Sequence, residues 1–250
     1  MAVSLAVTRV LEAEAGLDLA RDAKFVAGHS LGEYSALAAA GSFTIADTAR
    51  LLRLRGSAMQ KAVPVGQGAM AALLGLDYET GVAVAKQAAE EIGGVCQIAN
   101  DNGGGQVVAS GSKAAVERAM EIATTKGAKR AMLLPVSAPF HCALMQPAAD
   151  AMAEALAKVE IKAPRVPLVA NVVAGPVTDP AEIRRLLVEQ VTGTVRWRES
   201  IAWMAGQGVT QFIELGAGKV LAGLVKRIAD GATGSSVGAP ADVEAFKARG

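Results

Sequence analysis

Apolar residues recur at helical spacing over the first fifteen positions (Val3, Ala6, Val7, Val10, Leu11) and stop at Gly16, so the pattern predicts an opening helix. Lys24-Phe-Val-Ala-Gly-His-Ser30 is a short apolar run ending on a glycine-bracketed serine, which reads as a strand and then a sharp turn. Leu31 to Ala40 is an alanine-rich helix closed by Gly41. A further helix, capped by Thr44 or Asp47, runs through Leu51, Leu52 and Met59 to the vicinity of Ala62, where Pro64 and Gly66 break the chain.

From Gly68 to Ser137 the texture changes. Strands are predicted at Ala69–Leu76, Val95–Ala99, Gln106–Ser110 and Ala128–Val136. Helices are predicted at Glu79–Ile92 and, capped by Ser112, up to Thr125. The order β-α-β-β-α-β is the split pattern of a ferredoxin-like unit, here inserted into a larger α/β layer. That layer resumes with a helix at Leu144–Val159, a strand at Val166–Val173, helices at Pro180–Val191 and Trp197–Gln207, and a strand at Thr210–Leu215. Gly216-Ala-Gly-Lys219 then leads into a helix to Ile228. The tail from Gly231 is rich in glycine, serine and alanine, with little helical signal before Asp242. The domain reading is therefore a core of 1–66 and 138–250 with a small subdomain at 67–137.

Composition narrows the function. The 250 residues suffice for a sizeable core, and 25 basic residues against 24 acidic ones leave no basic surface of the kind phosphate backbones require, so nucleic acid is not expected as a partner. Cys96 and Cys142 fit neither a disulfide framework nor a zinc pattern. No basic n-region and no membrane-length apolar run are present, and the expected location is the cytoplasm, with no membrane partner.

Gly28-His29-Ser30-Leu31-Gly32 is a G-x-S-x-G motif between a predicted strand and a predicted helix. Small residues on either side let the backbone fold sharply and expose the serine hydroxyl, while the next N–H, at the helix start, can stabilise an oxyanion. In a chain with 27 glycines the bare motif also arises as an accidental turn; the strand before and the helix after favour a nucleophile. A serine nucleophile needs a base, and the chain has two histidines, His29 and His141. His29 adjoins the serine on a turn where neighbouring side chains diverge. His141 lies at a helix start just after a strand, and either a base or a packed histidine fits it. Asp77 and Asp101 fall between Ser30 and His141 in turn contexts, and no orienting acid is evident.

Gly28-His-Ser-Leu-Gly-Glu-Tyr-Ser-Ala36, Arg53-Leu-Arg-Gly56, Gly68-Ala-Met-Ala-Ala72, Ala128-Lys-Arg130, Pro135-Val-Ser-Ala-Pro-Phe-His-Cys-Ala-Leu-Met145, Gln207-Gly-Val209 and Glu214-Leu-Gly-Ala-Gly-Lys-Val-Leu221 follow one another in the chain. Together they resemble the malonyl-CoA:acyl-carrier-protein transacylases of bacterial type II fatty acid synthesis, nearly end to end. The resemblance implies an α/β-hydrolase-like parallel-sheet core with a ferredoxin-like insert. It also implies transfer of malonyl from malonyl-CoA to the phosphopantetheine thiol of acyl carrier protein, through a malonyl-Ser30 ester. His141 would be general base and acid, and the Leu31 N–H an oxyanion donor. Arg55 would clamp the substrate carboxylate, and a carbonyl at Gln190 would orient the histidine. Asn100, Asn102 and Gln106 match a family turn near the active-site mouth, although a glycine-rich hairpin needs turn formers there in any case. Phe140 resembles the residue of malonyl-selective members, where a ring leaves no room for an α-methyl branch. No metal or cofactor is implied, and a monomer is expected.

Two departures stand out. Gly216-Ala-Gly218 replaces the family's Gly-Pro-Gly. The family also opens with a strand and a Pro-Gly-Gln-Gly-Ser-Gln loop whose glutamine is a second oxyanion donor, and no such loop occurs here, so the chain is expected to begin inside the family domain. Losing an oxyanion donor costs ~100- to 1000-fold in rate, and a missing strand exposes an edge; weak activity and poor stability are expected of the chain alone. Two rival readings are a serine hydrolase or thioesterase, which gives Arg55 no role, and a docking module without chemistry. A phosphate-loop reading of Gly216-Ala-Gly-Lys219 fails for want of the upstream glycine and of a hydroxyl at Val220.

Overall fold

The structure is a computed structural model and describes residues 1–248. The chain is a mixed α/β protein. Its first half runs α1 (Ala2–Glu14), α2 (Leu19–Asp22), β1 (Val26–Ala27), α3 (Leu31–Ala39), α4 (Ile45–Lys61), β2 (Gly68–Leu74), α5 (Tyr78–Ile92), β3 (Cys96–Asp101), β4 (Gln106–Ser112), α6 (Lys113–Thr125) and β5 (Arg130–Leu133). After a 3-10 turn at Ala143–Met145 come α7 (Gln146–Leu156), β6 (Leu168–Ala170), β7 (Gly175–Val177), α8 (Pro180–Glu189), α9 (Trp197–Gly206), β8 (Gln211–Leu215), α10 (Val220–Ile228), β9 (Thr233–Val237) and α11 (Pro240–Lys247). Two compact units emerge. The first holds Met1–Ala49, Ile161–Ile183 and the chain from Glu199 onward; the second holds Arg50–Glu160 and Arg184–Arg198.

In the first unit β1 pairs in parallel with β6, and β6 pairs antiparallel with β7. The expected strand Val166–Val173 is shorter than its apolar run because the chain reverses at Ala174, in the left-handed region at φ 51°, and returns as β7. β8 and β9 form a separate parallel pair from Gln211↔Thr233 to Leu215↔Val237. The tail, read as having little helical signal before Asp242, contains a strand. Backbone pairing rather than apolar content makes it: Gly234 lies so near α10 that a Cβ there would meet the Ala222 carbonyl oxygen at 2.2 Å. Val7 and Leu11 of α1 share a core cluster with Val237 and Val243, which brings the first and last helices onto the same apolar centre.

The second unit contains a four-stranded antiparallel sheet in the order β3-β4-β2-β5. Side chains alternate across it as strand geometry requires. Ala71, Leu73, Ile98, Val107 and Ala109 face one way and pack with Val84, Ala88, Val116 and Ala119 of α5 and α6. Met70 and Val108 point to the opposite face, where with Ala99 they meet Leu134 and Phe140. Asp77 caps α5, its carboxylate accepting from the Thr80 N–H at 2.8 Å. Ser112 precedes α6 as expected, but its hydroxyl donates to the Val95 carbonyl at 3.2 Å instead of accepting from the helix. Among the described residues no helix is long and apolar enough to cross a membrane.

Candidate active site

Ser30 stands between β1 and α3 with φ 52° and ψ −107°, a backbone state that L residues other than glycine adopt at a cost of about 1–3 kcal/mol and that gathers at functional turns. The reason is local crowding. A Cβ on Gly28 would sit 2.0 Å from the Gly32 carbonyl carbon, so only glycine permits the chain to double back this tightly. The second glycine of the motif is different: apart from its chain neighbours and its own helix backbone, nothing among the described residues lies within 4 Å of where a Cβ on Gly32 would sit. The turn is closed by Gly32 N–H to His29 O at 2.9 Å and Glu33 N–H to Ser30 O at 3.1 Å.

A residue that sequence reasoning missed holds this turn. Asn171, just past β6 and 1% exposed, accepts from the Ser30 N–H at 2.7 Å and donates through Nδ2 to the Gly28 carbonyl at 2.9 Å. Its own N–H donates to the buried Glu33 carboxylate at 3.1 Å. One amide side chain thus bridges the two ends of the glycine-serine segment. These bonds engage the N–H groups of Ser30, Gly32 and Glu33, and none of them uses that of Leu31, the first residue of α3. A signal for Asn171 existed: it is the one polar residue in the run Val166-Pro-Leu-Val-Ala-Asn-Val-Val173, and a polar group inside an apolar strand must find partners.

The second unit brings three other candidates together. His141 is buried and also has a positive φ of 59°; its Nδ1 lies 2.8 Å from the Gln190 main-chain carbonyl. A carbonyl there can only accept, which puts the hydrogen on Nδ1 and leaves Nε2 as the basic nitrogen of the neutral ring. The side-chain Oε1 of the same Gln190 accepts from Arg55 Nη2 at 3.0 Å, and both residues are buried. Arg55 lies on α4, and Gln190 follows the last residue of α8. Phe140, half-buried, packs on the sheet face formed by Met70, Ala99 and Val108.

Asn100, Asn102 and Gln106 belong to the β3–β4 hairpin. Asn100 is buried in β3 and bridged to Val195; the Asn102 N–H donates to Gln106 O at 3.0 Å, closing a turn whose three glycines, 103 to 105, all have positive φ. Both aspartates considered as orienting acids are engaged elsewhere. Asp77 is the α5 cap, and Asp101, buried, pairs with Arg198 at 2.7 Å and accepts from the Gly103 N–H. At Gly216-Ala-Gly-Lys219 the start of α10 is served by the chain's own carboxylate, Glu214 accepting from the Ala222 N–H at 2.8 Å. Burial pushes the Cys96 thiol up to about 12 and raises Cys142 as well. Among the described residues no group of three His, Cys, Asp or Glu side chains could hold a metal ion.

A serine on a strained strand-to-helix elbow is the nucleophile arrangement of acyl transfer, and the family described as Acyl transferase domain matches residues 1–240. The malonyl CoA-acyl carrier protein transacylase of Salmonella typhimurium is 47% identical over 245 residues, which is 98% of this chain and 77% of that protein. The crystal structure of an acyl-carrier-protein-S-malonyltransferase from Bartonella henselae superposes with a TM-score of 0.94 at 59% identity, covering 98% of this chain and 77% of that one. A type II PKS acyl-carrier protein in complex with its malonyl-transacylase gives 0.94 at 42%, covering 100% and 79%. The chain belongs to the malonyl CoA-acyl carrier protein transacylase family.

Proposed function

We propose that this chain transfers malonyl through a covalent malonyl-Ser30 ester. As a member of its family it is an [acyl-carrier-protein] S-malonyltransferase, moving malonyl from malonyl-CoA to acyl carrier protein in fatty acid synthesis. In the proposed cycle Ser30 Oγ attacks the thioester carbonyl and gives its proton to His141 Nε2. The ring passes that proton to the departing sulfur, and coenzyme A leaves as the thiol. The phosphopantetheine thiol then loses its proton to His141 and attacks the ester. Collapse returns the proton to Ser30 Oγ and completes a ping-pong exchange. The Leu31 N–H stabilises the oxyanion at both additions.

In this reading the Gln190 carbonyl orients His141, and Arg55 receives the malonyl carboxylate with its guanidinium fork. Phe140 excludes an α-methyl branch, and Asn100, Asn102 and Gln106 line the approach. Residues 1–66 and 138–250 act as an α/β-hydrolase-like core and 67–137 as a ferredoxin-like subdomain, a reading supported by the strand order β3-β4-β2-β5. The protein works as a cytoplasmic monomer, without metal or cofactor.

The observation that carries the reading is the Ser30 elbow, a nonglycine residue at φ 52° opening a helix, with the Leu31 N–H beside it. Intact-protein mass after brief incubation with malonyl-CoA tests it. A malonyl adduct on the parent chain that Ser30→Ala abolishes is expected. An adduct that survives Ser30→Ala would overturn the assignment of the nucleophile.

A further inference from the structure

Gln190 offers two polar groups to two different partners. Its main-chain carbonyl holds His141 Nδ1 at 2.8 Å, and its side-chain Oε1 holds Arg55 Nη2 at 3.0 Å. Gln190 is 0% exposed, His141 4% and Arg55 5%, so solvent does not average these contacts away. A guanidinium receives a carboxylate well only when its plane is fixed to present two parallel N–H groups. The amide oxygen fixes one N–H and adds no charge. A carboxylate in the same position would hold the guanidinium too, but as a permanent internal rival for any substrate anion.

From this geometry we infer that the Gln190 side chain is a positioning residue that sets malonyl specificity. It fixes the plane of Arg55 for an incoming carboxylate with a neutral acceptor, separately from what its backbone does for His141. The inference rests on the Arg55 clamp proposed above. Side-chain substitution leaves the carbonyl in the chain, so the two jobs of one residue come apart experimentally.

Two variants make the separation. Gln190→Glu keeps the shape and adds the rival charge; Gln190→Met keeps the length and removes the acceptor. Each is assayed for Ser30 acylation by malonyl-CoA and for phosphonylation by an uncharged fluorophosphonate, which uses the same serine and offers no carboxylate to Arg55. Loss of a charge-assisted bond in a buried site corresponds to about 10- to 100-fold. We expect kcat/KM for malonyl-CoA to fall in that range, chiefly through KM and further for Gln190→Glu. Phosphonylation should fall at least ~10-fold less. Parallel loss of both rates in both variants, or unchanged malonylation in both, would overturn the inference. Arg55→Ala is the separate control. If it shows the malonyl-selective loss while the Gln190 variants do not, the clamp stands and the Gln190 role is wrong; if it malonylates at the parent rate, the clamp is wrong and the inference goes with it.

Discussion

Replacing Asn171 tests what holds the serine elbow in shape. Asn171→Leu keeps the branched outline of the side chain and removes both amide contacts. The Ser30 N–H loses its acceptor at 2.7 Å, and the Gly28 carbonyl loses its donor at 2.9 Å. A buried polar group left unsatisfied costs about 1–3 kcal/mol. The Ser30 side of this pair is only partly buried, so water softens one of the two losses, and about 2–4 kcal/mol in total is the reasonable expectation. For a chain of this length that is a fall in melting temperature of about 5–15 °C. Because the same bonds oppose the relaxation of a strained turn, Ser30 acylation should fall more than ~100-fold.

Asn171→Asp is more diagnostic. It keeps an acceptor for Ser30 but sets an oxygen where Nδ2 now faces Gly28 O, with the Glu33 carboxylate on the neighbouring main-chain N–H. Only the protonated carboxyl can donate there, so its folded-state pKa rises above the ordinary ~3.9. A raised folded pKa contributes stability that is complete below the unfolded value and is lost as pH climbs through the folded one. Asn171→Asp should therefore approach the parent's stability near pH 4 and fall away from it toward pH 8. Thermal unfolding across that range, paired with adduct mass, measures both effects. The argument is refuted if Asn171→Leu melts within ~1 °C of the parent and acylates at the same rate.

The glycines of the serine motif should behave unequally. Gly28→Ala, whose Cβ would meet the Gly32 backbone at 2.0 Å, should abolish the malonyl adduct, whereas Gly32→Ala, with open space around the Cβ, should fold and acylate; equal effects in the mass assay would contradict this. Arg198→Ala leaves Asp101, a carboxylate with 2% exposure, without the partner now 2.7 Å away. Because Arg198 itself is 39% exposed, water moderates the loss to about 3 kcal/mol, read as a lower urea midpoint. Cys96 and Cys142, with thiols raised by burial, should alkylate slowly at pH 8 in the native state and at once in denaturant. Their folded pKa lies above the unfolded ~8.5, so the stability they lend is present below that value and is lost above it. Rapid native labelling of both thiols would contradict the burial argument.

The sheet of the second unit could be read in advance because β2 and β4 alternate cleanly between two apolar faces, one covered by α5 and α6. The Ser30 turn was readable because its requirement is local: Gly28 and the helix after it are neighbours in sequence. What escaped was non-local. Asn171 reaches Ser30 across 141 positions, and Gln190 reaches Arg55 across 135, so no spacing rule connects them. Glu33, in the first turn of α3, is buried, and nothing in its local sequence signals that. β9 was invisible because Thr-Gly-Ser-Ser-Val has one large apolar residue and owes its state to pairing with β8.

The core shared by α1, β9 and α11 has a consequence for biosynthesis. Leu11 is made well before its neighbours Val237 and Val243, which lie far along the chain. Loop-closure entropy rises with the length of chain to be bridged, and contacts this distant form late. The β2–β5 sheet, by contrast, is encoded within one uninterrupted stretch, residues 68–133, and can assemble while translation continues. Until Val237 and Val243 are made, the apolar stripe of α1 waits without those partners, and it is in this interval that a chaperone holding short apolar segments would raise the yield of native protein.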